Sequence, residues 1–425
     1  MQQYFLLMHP KTVSLPAASS ADHLLALSEV SDFALTDIYP DIGPCTYRIL
    51  KEPILSREIE RVSNAKSSRA VDYLSFQPCA PTIYENQDRL VVEEWSLPGG
   101  TWQFAFVLDG HVNSSTADYA AETLPRHLRE SLTLALQASN RISPKRVSEI
   151  MRDSVVQLDD RITSEFFDLF PRDPTLLDQL SSEDIKSIPI TPGTLARCLG
   201  GATLIFSLVD PQQKNLWLAN LGDCRAVLGL RDNNGAWSGT LLNTLHNTKE
   251  ETRKIRAEHP AESQCIRNDR VLGFLEPSRA VGDLWLKIPS PYTTRIFSSL
   301  DQDWISQETF CRRAPWILTP PYVSNVPDVS HYPLPDDPWF LLLCSDGLAA
   351  AETYEGMSDV AMTRHWTDVV GAVVDQGSPQ ANAALTLLRA ALGGDLISQS
   401  RNLTVEMEER WLDDITIVIQ HRRVE

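Results

Sequence analysis

Seven short apolar runs set the terms on which this chain can fold: RLVVEEW (89–95), WQFAFVLD (102–109), ATLIFSLVD (202–210), NLWLANLGD (215–223), RAVLGL (225–230), WFLLLCSDG (339–347) and ITIVIQ (415–420). They are rich in Val, Ile, Phe, Trp and Leu and have the length of strands, and several follow one another closely. Helical patterns stand apart from them. Ser143-Pro144 offers an N-cap and an N1 proline, after which Val147, Ile150, Met151, Val155, Leu158, Ile162, Phe166 and Leu169 recur at helical spacing. Leu124, Leu128, Leu132 and Leu136 form an i, i+4 ladder, with Pro125 expected in a first turn or at a kink. A late helix around 379–392 should stop at Gly393-Gly394. Runs of strands with long helices apart from them predict an α+β layering rather than regular βαβ alternation. Residues 1–70 read as an N-terminal extension and 71–425 as one catalytic domain, with an acidic, proline-punctuated surface loop inserted near 171–195 and a second insertion near 289–321.

The runs share an ending. FAFVLDG reaches Asp109, LWLANLGD reaches Asp223 and FLLLCSDG reaches Asp346; Asp413-Asp414 precede ITIVIQ, and Gln87-Asp88 precede RLVVEEW. Asp and Asp-Gly are ordinary turn residues, which is the simplest account of any one of them. Strands lying side by side would nevertheless gather all five at one edge, where unpaired carboxylates repel and raise each other's pKa. A hard divalent cation resolves that conflict, and Mg²⁺ or Mn²⁺ prefers oxygen ligands. Two such ions about 3.5–4 Å apart, bridged by a carboxylate, activate water and neutralise phosphate. No His/Cys set has zinc spacing. Glycine after Asp109 lets a backbone carbonyl approach a metal. His111, two residues beyond Asp109, is placed to protonate a leaving alkoxide, although a lone histidine is as often a polar loop residue.

Bulk composition narrows the classes. With 425 residues, 43% hydrophobic, the chain can bury a large core. A formal net charge of -18 argues against nucleic acid or an anionic membrane surface as the main partner. No window has the apolar length of a membrane span. The seven cysteines are scattered without a Cys-x-x-Cys pair, as expected of reduced thiols in an intracellular protein. The opening MQQYFLLMHPKTVSLPAASS lacks a secretory pattern and is a poor match to a mitochondrial presequence.

The ordered stretches NQDR (86–89), FVLDGH (106–111), GGAT (200–203), LANLGDCRAVLG (218–229), EHPAE (258–262), DRVLGFLEPSRAVGDLWLK (269–287), TPPYVSNVPDV (319–329), LLLCSDGL (341–348) and DDITIVI (413–419) resemble the metal-dependent protein phosphatases of the 2C type, most closely the pyruvate dehydrogenase phosphatase branch. The resemblance covers about residues 80–421. It implies a central β-sandwich of two antiparallel sheets flanked by helices on both outer faces. It also implies hydrolysis of phosphoserine and phosphothreonine in a phosphoprotein substrate, with two Mg²⁺ or Mn²⁺ ions and a third, weaker site. Asp109 matches the bridging ligand, Gly110 the carbonyl ligand, and Asp346 and Asp413 the remaining ligands of the first metal. Asp88 matches a residue that orients metal-bound water, His111 the general acid, and Asp223 a third-metal ligand shared with Asp346. The branch resemblance implies the mitochondrial matrix, whereas the poor match to a presequence points to the cytoplasm, so both compartments stand as expectations.

Four positions depart from the pattern. Gln87 stands where a glutamate ligand of the second metal is expected. Val112-Asn113 follow the histidine in place of Gly or Ala. DGLAA replaces Asp-Gly-Leu-Trp-Asp, so Ala350 takes the place of an acid near the third site. Ile83 occupies the basic phosphate-binding position. These departures keep a second expectation alive, a pseudophosphatase that binds phosphoproteins or a partner without turnover. A third is a plain sandwich whose aspartates only make turns.

Overall fold

The computed structural model describes residues 32–38, 43–68, 70–79, 85–139, 142–378 and 381–422. Position 83 and the N-terminal residues up to 31 lie outside these, so the expectations placed on Ile83 and on the chain's opening are not addressed by the structure. The described strands are β1 (Phe33–Thr36), β2 (Cys45–Arg48), β3 (Lys66–Ser68), β4 (Val71–Phe76), β5 (Arg89–Leu97), β6 (Gly100–His111), β7 (Gly201–Val209), β8 (Asn215–Leu221), β9 (Arg225–Arg231), β10 (Trp237–Leu241), β11 (Ile266–Arg267), β12 (Arg270–Val271), β13 (Val281–Gly282), β14 (Asp328–Pro333), β15 (Trp339–Cys344) and β16 (Ile415–His421). One six-stranded sheet runs β10-β9-β15-β16-β4-β3, and the other runs β14-β8-β7-β6-β5 with β13 paired to β7. Every pairing in both sheets is antiparallel.

The two sheets face each other, and the period-2 alternation of each strand decides which side chains meet between them. Ala105 and Val107 of β6, Ile205 and Val209 of β7, Leu341 and Leu343 of β15 and Val418 of β16 form the inter-sheet layer. One buried polar contact crosses it, from the Ser207 hydroxyl to Gln420 Oε1 at 2.6 Å. The intervening residues point outward and are covered by helices. Phe104, Phe106 and Leu108 pack under α1 (Ser115–Ala138) and α2 (Pro144–Phe167), and Phe340, Leu342, Ile417 and Ile419 pack under α3 (Asp359–Gln376) and α4 (Ala383–Ala391). Both faces of the central strands are therefore dry. That is why their sequences read as unbroken apolar runs and not as alternating ones.

Several expectations change in detail. Ser143 does cap α2, accepting from the Arg146 N–H. Pro125, however, lies in the interior of α1, because that helix begins at Ser115, well before the leucine ladder that signalled it. The stretch 171–195 is not a loop alone. It carries short helical turns at Pro174–Gln179 and Ser182–Ser187 that bury Leu177 and Ile185, apolar anchors too sparse for periodicity to reveal. The stretch 289–321 buries Tyr292, Ile296, Phe297 and Phe310 in the same core as α2. The described part of residues 1–70 packs on the body: β3 pairs with β4, and Leu50, Leu55 and Ile59 join the outer core of the first sheet. No helix among the described residues is long and apolar enough to cross a membrane, and the seven cysteines are free.

A polar lock ties the 276–283 segment to the body. Arg279 Nε donates to both carboxylate oxygens of Glu251 at 3.2 and 3.0 Å, and its Nη1 donates to Asp328 at the start of β14 at 2.9 Å. Burial alone would raise the Glu251 carboxyl, but hydrogen bonds from Arg279 and Ser278 hold it down at about 2. A depressed carboxylate contributes stability above its ordinary value of 4.5, and the contribution is lost as pH falls from 4.5 towards 2. We predict that Glu251→Gln lowers the unfolding free energy by roughly 3 kcal/mol at neutral pH. Urea titrations should show the gap between variant and parent closing through that acid window.

Candidate functional site

The inter-sheet alternation also places the acids. Asp109 continues the face of Ala105 and Val107, Asp88 continues that of Leu90 and Val92, and Asp414 continues that of Thr416 and Val418. All three fall at one end of the sandwich. Asp346 arrives there as the first residue of a short helix, Asp346–Ala350, and not at a strand end as its sequence implied. Asp413 precedes β16. Asp223 follows β8 through Gly222, whose φ of +114 turns the chain.

These carboxylates act on one another. Asp109 is held well above the usual range by burial and then by Asp346, Asp88, Asp223 and Asp413. Asp88, 2% exposed, is raised by burial and by Asp414, against the pull of the Ser345 and Thr416 hydroxyls beside it. Asp223 is raised by burial and Asp346. Asp413 is pushed up to about 6 by burial and Asp346 against the pull of Arg410, although half of its side-chain surface is open to screening water. Desolvated carboxylates that destabilise each other's charge fit a hard cation. Among the described residues no three His, Cys, Asp or Glu side chains are arranged to hold one ion by themselves. Asp413 is instead drawn to Arg410 at 2.8 Å, and Arg410 reaches Asp414 at 2.9 Å. The arrangement suits an ion such as Mg²⁺, which binds through one or two carboxylates and keeps several waters.

Beside the carboxylates, His111 closes β6 opposite Gly201. Its Nε2 lies 2.7 Å from Oδ2 of Asp283, which is fully buried. The sequence analysis did not single out Asp283; its signal was the acid closing RAVGD. Asp283 has φ +50, and its N–H donates to the Gly200 carbonyl at 3.0 Å. The neighbouring Gly282 N–H donates to Asp159, which also holds buried Lys287 at 2.8 Å. Val112, next to the histidine, has φ +70, a strained conformation for a β-branched residue. Glycine, without a Cβ, would adopt this conformation freely.

Gln87 is anchored at both ends. Its N–H donates to Asp414 Oδ2 at 2.8 Å. Its amide end lies between the Gly110 carbonyl at 3.2 Å and the Asn113 N–H at 3.3 Å, and hydrogen bonding assigns the nitrogen to the carbonyl and the oxygen to the N–H. Ala350 lines a surface cleft with Arg225, Asp359 and Trp411, beyond the carboxylates.

Comparison with known proteins agrees with this geometry. Residues 85–369 match the protein phosphatase 2C family, well over half of the chain. Protein phosphatase 2C homolog C10F6.17c of Schizosaccharomyces pombe is 26% identical over 391 residues, covering 85% of this chain and 83% of its own length. The human mitochondrial pyruvate dehydrogenase (acetyl-transferring) phosphatase 2 is 29% identical over 262 residues, 53% of this chain and 48% of its own. The Saccharomyces cerevisiae mitochondrial phosphatase 1 of the same name is 27% identical over 271 residues, 62% of this chain and 44% of its own. The match thus spans less than half the length of these two dehydrogenase phosphatases. The crystal structure of serine-threonine phosphatase 2C from Toxoplasma gondii shares the fold, with a TM-score of 0.53 at 17% identity over 84% of this chain and 96% of that one. The chain belongs to the protein phosphatase 2C family, and its enzyme class is protein-serine/threonine phosphatase.

A side chain at Gly201 would collide with Asp283 Oδ2 and come within 2.5 Å of His111 Nε2. We predict that Gly201→Ala costs about 1–3 kcal/mol, as overpacking does, with a lowered melting temperature. Gly193→Ala, in the helix Pro192–Leu199, meets only Arg197 Nη1 at 3.4 Å and should hold or slightly raise the melting temperature.

Proposed function

We propose that this end of the sandwich hydrolyses phosphoserine and phosphothreonine in proteins with the help of Mg²⁺ or Mn²⁺. The observation that carries the reading is the convergence of Asp88, Asp109, Asp223 and Asp413, each raised by desolvation and by a neighbouring acid. Asp109, Asp346 and Asp413, with water completing the shell, are the groups that would hold the first ion; Asp109 and the Gly110 carbonyl would face a second, and Asp223 with Asp346 a weaker third. A bound cation there supplies an activated water and neutralises the phosphate.

The protein's own groups do the rest. Asp88, held next to the other acids on the dry inter-sheet face, is the acceptor that orients a water at the site. His111 is fixed in plane by Asp283 through Nε2, so Nδ1 is the nitrogen free to pass a proton to the departing serine or threonine oxygen. Asp283 is a positioning residue, since it touches His111 and not the substrate. The similarity to dehydrogenase phosphatases makes phosphorylated pyruvate dehydrogenase the first substrate to assay, and the mitochondrial matrix the first compartment to examine by fluorescent-tag imaging. Gln87, neutral where a ligand charge is expected, favours the alternative reading of a pseudophosphatase that retains phosphoproteins without turnover.

Phosphate release from a phosphopeptide separates the two. Turnover should need Mn²⁺ and stop with EDTA. Asp109→Asn should lose several kcal/mol of transition-state stabilisation, a fall of more than about a hundredfold. Asp283→Asn should lower kcat by roughly tenfold or more with little change in KM. Absent turnover in pure protein would leave the binding reading standing, and metal-independent turnover would overturn the metal-assisted one.

A further inference from the structure

The two-ion expectation meets a specific obstacle at Gln87. The side chain is wedged between the Gly110 carbonyl and the Asn113 N–H. Only one amide orientation pairs donor with acceptor at both ends, because the reverse would set oxygen against oxygen and N–H against N–H. In the satisfied orientation the Gln87 nitrogen donates to the Gly110 carbonyl, the oxygen that the second ion would need. The residue has little freedom to leave. Its backbone is tied to Asp414, and Gly110 approaches so closely that a Cβ there would lie 2.6 Å from the Gln87 carbonyl oxygen.

The geometry points to Gln87 as a neutral substitute for the second cation: its amide N–H₂ occupies the Gly110 carbonyl, and the chain holds one ion tightly at the Asp109–Asp346 side where the pattern of its relatives calls for two. A glutamate in the same place could not form this bond. Its carboxylate would repel the Gly110 oxygen until a cation came between them, and the local ligand charge would rise from that of Asp109 alone to that of two carboxylates. The inference rests on the metal-assisted reading above and adds the number of ions to it.

The test counts ions and does not depend on turnover. Titrate the full chain with Mn²⁺ by calorimetry, and record the electron spin resonance of the bound metal, in the parent, Gln87→Glu and Gln87→Ala. The expected result is one tight ion in the parent and the spectrum of an isolated ion. Gln87→Glu should bind a second ion on the order of tenfold more tightly than the parent does, with the spectral broadening of a coupled pair. Gln87→Ala removes the blocking amide without adding charge and should gain no tight second ion. Melting curves verify that each variant is folded. Two equally tight ions in the parent, no gain in Gln87→Glu, or no ion in any of the three would overturn the inference. Phosphate release measured on the same samples reports separately on the catalytic reading: a parent that turns over with two tight ions refutes only the inference, and a parent with one ion and no turnover refutes only the catalysis.

Discussion

Electrostatic repulsion inside a dry pocket is the constraint around which this molecule is built. Asp88, Asp109 and Asp223 each lie where burial and a neighbouring acid disfavour the ionised form. A chain would ordinarily relieve such stress by turning the acids to water. Here each lies in or next to a paired strand with one face against the opposing sheet, and rotating one acid outward would break the alternation of its strand. The scaffold bears the cost because its core is large: three contiguous apolar layers, two outside the sheets and one between them.

The second polar system works in the opposite sense. Here opposite charges meet: Arg279 is hydrogen-bonded to Glu251 and Asp328, and Lys287 to Asp159. Both sets grip the segment that ends at Asp283, and Asp283 grips His111. The ion pairs therefore do structural work at a distance: they fix a left-handed turn that delivers a buried carboxylate to one imidazole nitrogen. Matched pairs hold the loop, while the unmatched acids a few residues from that histidine keep their affinity for cations.

Much of this was legible before any coordinates. The seven apolar runs all became strands, because strands buried on both faces cannot hide among polar residues. The Ser143-Pro144 cap and the Gly393-Gly394 stop were readable because backbone chemistry at helix ends is local. Strand β4 was missed: VDYLSF is short and carries Asp72, which faces α4 and receives the Ala383 N–H at 2.8 Å. The 171–195 helices were missed because a few anchors, such as Leu177 and Ile185, leave no period to detect. Of the site, His111 and the acids were visible from the ends of apolar runs, Asp346 proving to open a short helix just past β15, whereas Asp283 was not, since nothing local says which acid a distant histidine will find.

The sequence by itself determined the layers and the edge at which acidic residues collect, because hydrophobic periodicity and strand termini are properties of consecutive residues. Tertiary structure alone decided the partnerships: Asp283 with His111 across 172 positions, Arg410 competing for Asp413 and Asp414, and the Gln87 amide turned toward the Gly110 carbonyl. The reason is physical. A hydrogen bond or an ion pair is set by the separation of atoms in space, and only the packed sandwich brings those atoms within reach.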